Sequence, residues 1–434
     1  MSQDDGGPPV PPASERESGG VWRAAGAGEA SGNEVEAPAD GDPSGRPTRP
    51  MSQGPLCNIT VVDLTSYIAG SYAAMMLADL GADVIKVEGI EGDSFRELPG
   101  FYGWNRGKRS LAVNLKEPDG RAIVHRLARR ADVAMENMRP GVVDRLGVGY
   151  EDLRAVNPRI IYASVTAFGP DGPYAERPGF DPLLQAMGGV MAAQGFGGPP
   201  KYMRIAVTDY YTAALAGQAV LAALFVRERT GRGQHVRTSL LQGVMALQSG
   251  SVVDYPGLER TYKDTPTYRI YQAQDGEWFF LAVGNQSFWR KLCQAIGHPE
   301  MANDPRFGSW LARRDNGDEL MTLLEETFAS KPRAEWLKIL ADHDIPAAGT
   351  QTMLDFMKDP AVRHHKMVVQ YDHPERGPLT LMGQPLRFSE TQAEDAGPPP
   401  TLGQHTDAVL REAGYADGEI TDLRRRGVVG GKAP

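Results

Sequence analysis

Short apolar runs alternate with amphipathic segments along the chain from Asn58 onward. The runs are rich in Val and Ile, which predicts buried strands, whereas the segments between them carry apolar residues three and four positions apart and predict helices. The expected strands cover 59–64, 83–88, 132–136 and 160–165, and the expected helices cover 72–79, 118–131 and 212–229. Strands separated by helices form right-handed βαβ units, so the pattern predicts an α/β fold with a Rossmann-like parallel sheet.

Residues 268–365 show a different pattern, in which an apolar run at 278–283 is followed by several amphipathic helices. This pattern predicts a smaller α+β domain in addition to the large domain. The expected organisation is a tail at 1–53, the first part of the large domain at 54–240, a linker at 241–267, the small domain at 268–365, and a second linker with a return to the large domain at 366–434.

The first fifty residues differ in composition from the rest of the chain. They contain nine Gly, eight Pro and no Leu, Ile, Phe or Tyr. Such a segment cannot bury enough apolar surface to offset the entropy of ordering, so we expect a disordered tail. With nine acidic and four basic residues, the tail also carries more than half of the formal net charge of −9. The acidic total argues against a nucleic-acid partner.

Cysteine content and the length of the apolar runs bear on the cellular compartment. The two cysteines, Cys57 and Cys293, lie far apart without a CxxC pair, which excludes a disulfide framework and a four-cysteine zinc site, and we assign no metal. The N-terminus lacks the basic and then apolar pattern of a secretory signal, and the longest apolar stretch, 213–226, is too short to span a bilayer. We therefore expect a cytoplasmic protein that does not enter the membrane.

Candidate chemistry is expected where the predicted strands end, because ligands of such sheets bind outside the carboxyl ends of the strands. The chain contains no GxxxxGK[ST], HExxH, GxSxG or strand-linked GxGxxG motif. Walker-type ATP use, zincin chemistry, α/β-hydrolase chemistry and ordinary NAD binding therefore lose support.

Asp209 stands at the start of the predicted apolar helix, with Thr208 beside it. In one interpretation, one of these two residues simply caps the helix. In the other, the helix dipole and free N–H groups hold the Asp209 carboxylate ionised, as a nucleophile toward an activated acyl carbon. The local sequence is compatible with both interpretations.

Nine short stretches of the chain match, in order, those of the family III coenzyme A transferases. They are DLT with AG at 63–70, LADLGADVIKVE at 77–88, NRGKRS at 105–110, ENMRPG at 136–141, RLGVGY at 145–150, NPRIIY at 157–162, TGRGQ at 230–234, DP at 359–360 and LGQHT at 402–406. Each stretch is weak evidence alone, but their number and order are specific. From about Pro55 to its end the chain therefore resembles this family.

By this resemblance, Asp209 falls at the catalytic aspartate of the family. The family mechanism implies a CoA-transferase that moves CoA from an acyl-CoA donor, such as succinyl-CoA, to a free carboxylic acid through an aspartyl-CoA thioester. It requires no tightly bound cofactor, since CoA is a substrate. The resemblance implies CoA contacts at Tyr67, Ile68, Val113, Lys116, Asn137, Met138 and Arg145, and supporting roles in the active site for Asp181, Gly284 and Asn285. It also implies an interlocked homodimer.

Two alternatives stay open at this point. An α-methylacyl-CoA racemase shares the expected fold, but racemisation needs a base on each face of the α-carbon. Phe180 stands where the resemblance places the racemase histidine, and phenylalanine carries no exchangeable proton. The other alternative is a catalytically silent CoA-binding protein, against which the retained Asp209 argues.

Overall fold

The computed structural model describes residues 53–195, 197–258 and 265–431. Apart from Gln53, the predicted disordered tail lies outside the described residues, as does the part of the predicted linker at 259–264. Six parallel strands form the main sheet: β1 (Thr60–Asp63), β2 (Asp83–Glu88), β3 (Lys108–Ala112), β4 (Val133–Glu136), β5 (Ile161–Thr166) and β6 (His235–Ser239). The predicted α/β class is confirmed, and the sheet includes two strands, β3 and β6, in addition to the four that the apolar pattern predicts.

The strand order of this sheet is β3-β2-β1-β4-β5-β6. The direction of winding reverses between β1 and β4, which are neighbours in the sheet. At such a switch point the connections leave in opposite directions and open a crevice at the carboxyl ends of the two strands. The fold therefore directs attention to the segments that follow Asp63 and Glu136.

Helices cover both faces of the main sheet. The helices up to residue 247 are α1 (Ala69–Asp79), α2 (Pro99–Asn105), α3 (Pro118–Ala128), α4 (Val142–Arg145), α5 (Tyr150–Val156), α6 (Asp181–Met187), α7 (Val190–Gln194), α8 (Val207–Thr230) and α9 (Leu240–Leu247). Successive strand residues point to opposite faces, so Val61 packs with apolar residues of α1 and α8 while Val62 packs with those of α3. Helix α9 occupies the first residues of the predicted linker and packs against α8.

Helix α8 is the longest helix in the described part of the chain, with 24 residues. By length and composition alone it could cross a membrane, and no other helix among the described residues meets that test. One of its faces is buried against the main sheet through Ala213, Ala216, Val220 and Leu224. Through this face α8 belongs to the core of the main sheet. The helix is longer than the apolar stretch at 213–226, since it begins at Val207 and ends at Thr230.

A second core lies around a three-stranded antiparallel sheet of β7 (Tyr268–Gln272), β8 (Trp278–Ala282) and β9 (Ala347–Gly349). The helices of this unit are α10 (Gln286–Ala295), α11 (Trp310–Asp315), α12 (Gly317–Phe328) and α13 (Arg333–Asp342). Trp289, Phe328 and Trp336 are buried in its centre, and the Trp336 indole donates a hydrogen bond of 2.9 Å to the Phe328 carbonyl. The exact domain boundaries stay a prediction.

The C-terminal part begins with α14 (Met353–Phe356), α15 (Pro360–His364) and a hairpin of β10 (Val368–His373) and β11 (Gly377–Met382). It ends with α16 (Thr406–Glu412) and α17 (Asp417–Arg425). Val409 and Ile420 of these two helices belong to the core on the α3 face of the main sheet. The end of the chain thus packs on the same sheet as its beginning.

Candidate active site

The segments after β1 and β4 are joined at the switch point by two hydrogen bonds. The Ser66 N–H donates to Asn137 Oδ1 over 2.9 Å, and Asn137 Nδ2 donates to the Ser66 carbonyl over 2.6 Å. The amide side chain therefore serves as both acceptor and donor for one residue of the opposite segment. This pair aligns two of the segments in which the resemblance implies CoA contacts.

Buried charges support the segment after β1. Lys108 Nζ donates to Asp63 Oδ2 and to the Ser71 carbonyl, each over 2.8 Å, and Lys86 Nζ donates to the Thr65 carbonyl over 2.8 Å. Burial alone would raise the pKa of Asp63, but the Lys108 and Lys86 ammonium groups hold that pKa below its ordinary value. The strand-end charges thus hold the backbone that leads to Tyr67.

Tyr67 itself has a left-handed backbone conformation, with φ at 60°. A bulky residue rarely adopts this conformation unless surrounding contacts impose it. The Tyr67 ring packs edge to face against Phe95 and Phe180, with ring centroids 4.7 and 5.6 Å apart. The tyrosine is therefore held in an uncommon geometry at the switch point.

A cavity of about 320 Å³ lies at this position. Four of the predicted site residues line it: Tyr67, Asn137, Met138 and Asp209. The structure thus brings the candidate nucleophile, which lies far along the chain, to the same cavity as three predicted CoA contacts.

The start of helix α8 explains how Asp209 is presented. The first residue of the helix is Val207, and the residue before it, Ala206, has no side chain that caps. Neither Thr208 nor Asp209 is the cap, so the capping interpretation is wrong for both residues. The cap comes instead from Asp181 of α6, whose Oδ2 accepts the N–H of Thr208 over 2.8 Å and that of Asp209 over 3.3 Å.

The remaining N–H groups of the first turn of α8 are also occupied. The N–H of Val207 donates to the Ile205 carbonyl over 2.7 Å, and that of Tyr210 donates to the Ala206 carbonyl over 3.0 Å. The donors that were expected to hold the Asp209 carboxylate ionised therefore bind other acceptors. Burial and the neighbouring charge of Asp181 raise the pKa of Asp209 from 3.8 to about 7. The prediction that N–H groups at the start of α8 keep the Asp209 carboxylate ionised is therefore wrong.

Two predicted CoA contacts have mainly structural surroundings. Ile68 precedes α1, and its carbonyl accepts the N–H of Tyr72 over 2.8 Å. The Val113 side chain is fully buried in the core, and its N–H donates to the Glu88 carbonyl over 2.8 Å. The structure does not bring either residue to the cavity that holds Asp209, and the Val113 side chain is not accessible to a ligand.

The two predicted cationic contacts are exposed. Lys116 lies in the turn before α3, and Arg145 is the last residue of α4. Neither side chain forms an ion pair with any carboxylate among the described residues, whereas Arg96, Arg109 and Arg227 do. Both remain available for an anionic ligand.

Gly284 and Asn285 lie between β8 and α10, and neither lines the cavity with Asp209. Both are exposed, and the Asn285 side chain caps α10 by accepting the N–H of Phe288 over 2.9 Å. Within one chain, therefore, the structure gives Asn285 a capping role and does not join these residues to the catalytic candidate.

The structure adds functional candidates to those predicted from the sequence. Arg139 and Arg177 line the same cavity as Asp209 and have no carboxylate partner in the described ranges. The Arg177 guanidinium lies over the Tyr174 ring, 4.2 Å from its centroid. Arg139 lies in the matched stretch at 136–141, and Arg177 lies three residues before Phe180. The sequence alone does not indicate that either side chain lines a cavity.

A hydrogen-bonded network that begins at the buried side chains of Glu136 and Ser164 and ends at the exposed Arg237 supports Met138. Glu136 Oε2 accepts the Met138 N–H over 2.8 Å, and Glu136 is also hydrogen-bonded to Ser164. His235 Nε2 lies 2.8 Å from Ser164 Oγ, while Arg237 donates to His235 Nδ1 over 3.0 Å, so Nε2 carries the proton and donates to Ser164. A serine that accepts a hydrogen bond from histidine is not an activated nucleophile, so these polar groups serve to position Met138.

With this geometry in hand, comparisons with known proteins define the class. The model of CoA-transferase family III matches residues 56–406. The chain belongs to this family and is a CoA-transferase. It is 34% identical over 406 residues to the succinyl-CoA:glutarate CoA-transferase of Mus musculus, covering 89% of this chain and 93% of that protein.

Two further proteins have similar coverage. The formyl-CoA:oxalate CoA-transferase of Streptomyces avermitilis is 35% identical over 404 residues, covering 86% of this chain and 98% of that protein. Among solved structures, a CAIB/BAIF family protein from Brucella suis is 35% identical with a TM-score of 0.75, covering 83% of this chain and all of that chain. The similarity thus extends over nearly the full length of these proteins.

Proposed function

We propose that the protein transfers CoA from an acyl-CoA to a free carboxylic acid through a thioester formed on Asp209. The observation that carries the proposal is the state of this carboxylate: it is half-buried, lines the cavity with Tyr67, Asn137 and Met138, and has no hydrogen-bond partner among the described residues. A carboxylate that serves only structure is normally paired when it is buried. Asp209 is free to react.

The mechanism that the family resemblance implies for Asp209 has four steps. The Asp209 carboxylate attacks the thioester carbonyl carbon and the C–S bond breaks. CoA thiolate departs, and a mixed anhydride of Asp209 and the donor acyl group remains. The thiolate then attacks the Asp209 carbonyl carbon and expels the donor acid, which forms the aspartyl-CoA thioester. An acceptor carboxylate attacks this thioester and releases the thiolate again. The thiolate finally attacks the acyl carbon of the acceptor and frees the Asp209 carboxylate.

We place the phosphates of CoA near the unpaired cations at the carboxyl edge of the sheet. Lys116, Arg139, Arg145 and Arg177 carry no carboxylate partner in the described part of the chain. Guanidinium and ammonium groups bind phosphate oxygens with charge-assisted hydrogen bonds. The Ser66–Asn137 pair holds the two segments against which the rest of CoA would lie.

For the substrates, we propose succinyl-CoA as donor and a small dicarboxylic acid as acceptor. The names of the mouse and Streptomyces relatives contain glutarate and oxalate, and both are dicarboxylic acids. The cavity offers Arg139 and Arg177, so a second carboxylate of the acceptor would find a cation there. We also place the reaction in the cytoplasm, since the two cysteines lie far apart in the sequence and form no CxxC pair.

We further propose that the working form is an interlocked homodimer. Leu221 and Phe225 on α8 and Met245 on α9 are exposed apolar side chains, and exposed apolar surface of this kind favours association. In such a dimer, the exposed Gly284-Asn285 turn of a second copy would close the cavity and supply backbone N–H groups to the oxyanion.

A panel of free acids tests the proposal. The purified protein is incubated with succinyl-CoA and each acid, and new acyl-CoA products are measured by mass spectrometry. We expect transfer to small dicarboxylic acids, no transfer by Asp209→Ala, and CoA binding by that variant close to that of the wild type. Substantial transfer by Asp209→Ala would overturn the proposed nucleophile.

A further inference from the structure

A buried carboxylate that the transfer mechanism does not use lies against the start of α8. Asp181 is 3% exposed, and its two oxygens are both engaged. Oδ2 accepts the N–H groups of Thr208 and Asp209, and Oδ1 accepts a hydrogen bond of 2.5 Å from Gln185 Nε2. A residue 28 positions before the candidate nucleophile therefore binds the backbone of that nucleophile directly.

Gln185 holds this carboxylate in place. It is fully buried one turn after Asp181 on α6, and its Nε2 also lies 3.0 Å from the Met203 carbonyl and 3.3 Å from the Ile205 carbonyl. The same amide thus connects Asp181 to the segment that enters α8. Its Oε1 has no partner among the described residues, so the amide group is oriented by its donor side alone.

We propose that Asp181, held by Gln185, is a positioning residue for Asp209: it takes the N–H groups at the start of α8 and leaves the Asp209 carboxylate unbonded at the cavity. The inference rests on the proposed function, because it assigns Asp181 a role in the reaction of Asp209. Two consequences follow, one geometric and one electrostatic. The first turn of α8 is fixed, and the nucleophile faces a second negative charge instead of the helix donors.

The electrostatic consequence concerns the basicity of the nucleophile. A carboxylate at a helix start that received free N–H groups would have a low pKa. Here burial and the charge of Asp181 raise the pKa of Asp209 to about 7. The nucleophilicity of a carboxylate increases with its basicity, in the same way as proton-transfer efficiency follows Brønsted behaviour. Asp181 thereby makes Asp209 a stronger nucleophile but requires a pH near neutral for its ionisation.

Other charged and titratable groups line the same cavity as Asp209. Arg139, Arg177 and the Tyr67 phenol line the cavity with Asp209, and Asp181 is the group that faces it from α6. The two arginines favour ionisation of Asp209 and oppose Asp181. Because both are exposed, solvent screens them more strongly than it screens the buried carboxylate.

The test compares the pH dependence of kcat/KM for succinyl-CoA in the wild type and in Asp181→Asn. Asparagine keeps an oxygen that can accept the two N–H groups at the start of α8, so this contact is retained while the negative charge is lost. We expect the acid limb of the profile to move down by about one pH unit or more, and kcat at high pH to fall by about 3- to 10-fold. The 3′-phosphate of CoA titrates identically in both experiments and cancels.

The controls separate positioning from general stability. Asp359→Asn alters the cap of α15, a helix outside the site, and its pH profile is expected to match that of the wild type. An unchanged acid limb in a folded Asp181→Asn would overturn the proposal. If that variant does not fold, the pH profile of the wild type alone still tests the proposal, because an acid limb near pH 4 would also overturn the proposal. Failure of the proposed function is distinguishable, since it requires transfer by Asp209→Ala.

Discussion

The Phe180 ring lies edge to face on Tyr67, with ring centroids 5.6 Å apart, at the cavity that holds Asp209. Phe180 stands where a racemase of this fold would need a histidine. Its apolar ring instead completes a contact that helps hold Tyr67 at a φ of 60°. An aromatic wall therefore takes the place of the second base.

This relationship predicts how the protein treats the α-proton of an acyl-CoA. In deuterated water, without an acceptor acid, a 2-methylacyl-CoA should show no enzyme-dependent deuterium at its α-carbon, because Asp209 is the one carboxylate among the described residues that line the cavity. The measurement is mass spectrometry of recovered acyl-CoA against a sample without enzyme. Rapid exchange in the wild type that disappears in Asp209→Ala would support the racemase instead.

The buried ion network predicts a large stability difference between two lysines. Lys108→Met removes the ammonium group that binds Asp63, Ser71 and Asn105, and leaves a fully buried carboxylate with less compensation. We expect a loss of about 3–5 kcal/mol in the free energy of unfolding, measured by urea titration.

Lys331→Met is the matched control, because the pair of Lys331 and Glu335 is exposed. Such a pair contributes about 0–1 kcal/mol, so the control is expected to unfold close to the wild type. Equal effects of the two substitutions would show that the network under the segment after β1 is not as tightly buried as described.

The raised pKa of Asp209 predicts a cost in stability that depends on pH. The folded protein holds the Asp209 proton up to about pH 7, whereas the unfolded chain releases it near pH 4, so ionisation opposes folding between these values. Asp209→Asn should therefore become progressively more stable than the wild type as pH rises from 4 to 7, with a constant difference above. Thermal unfolding of the ligand-free protein at several pH values measures this.

The control is Asp171→Asn, which removes one negative charge from an exposed position. Its melting temperature relative to the wild type should not follow the same course. A gap between Asp209→Asn and the wild type that stays constant from pH 4 to pH 8 would contradict the description of Asp209 as a destabilised carboxylate.

The apolar pattern predicts four strands of the main sheet but does not predict the other two. Strands β1, β2, β4 and β5 lie within the sheet and contain short runs of mostly apolar residues. Strand β3, with the sequence KRSLA, is an edge strand whose Lys108 is buried only because Asp63 and its neighbours compensate the charge. Strand β6, HVRTS, forms the other edge and is largely polar. Both strands form because they pair with strands distant in sequence, β3 with β2 and β6 with β5.

The candidate site shows the same division. The family resemblance implies Asp209 as the candidate nucleophile, and the strand order of the sheet explains why Tyr67 and Asn137 lie at one cavity with it. The role of Asp181 as the cap of α8 was not predictable, since it depends on how α6 packs beside a helix that begins 26 residues later. The helix start alone suggested donors for Asp209, and tertiary contact assigned those donors to another acceptor.

Trapping the covalent intermediate tests the proposed role of Asp209 most directly. The protein is incubated with succinyl-CoA without an acceptor, quenched in acid, and examined by intact-protein and peptide mass spectrometry. We expect one CoA adduct per active site, located on Asp209, sensitive to hydroxylamine and absent from Asp209→Asn. Transfer of CoA with no adduct, or with the adduct on another residue, would contradict it.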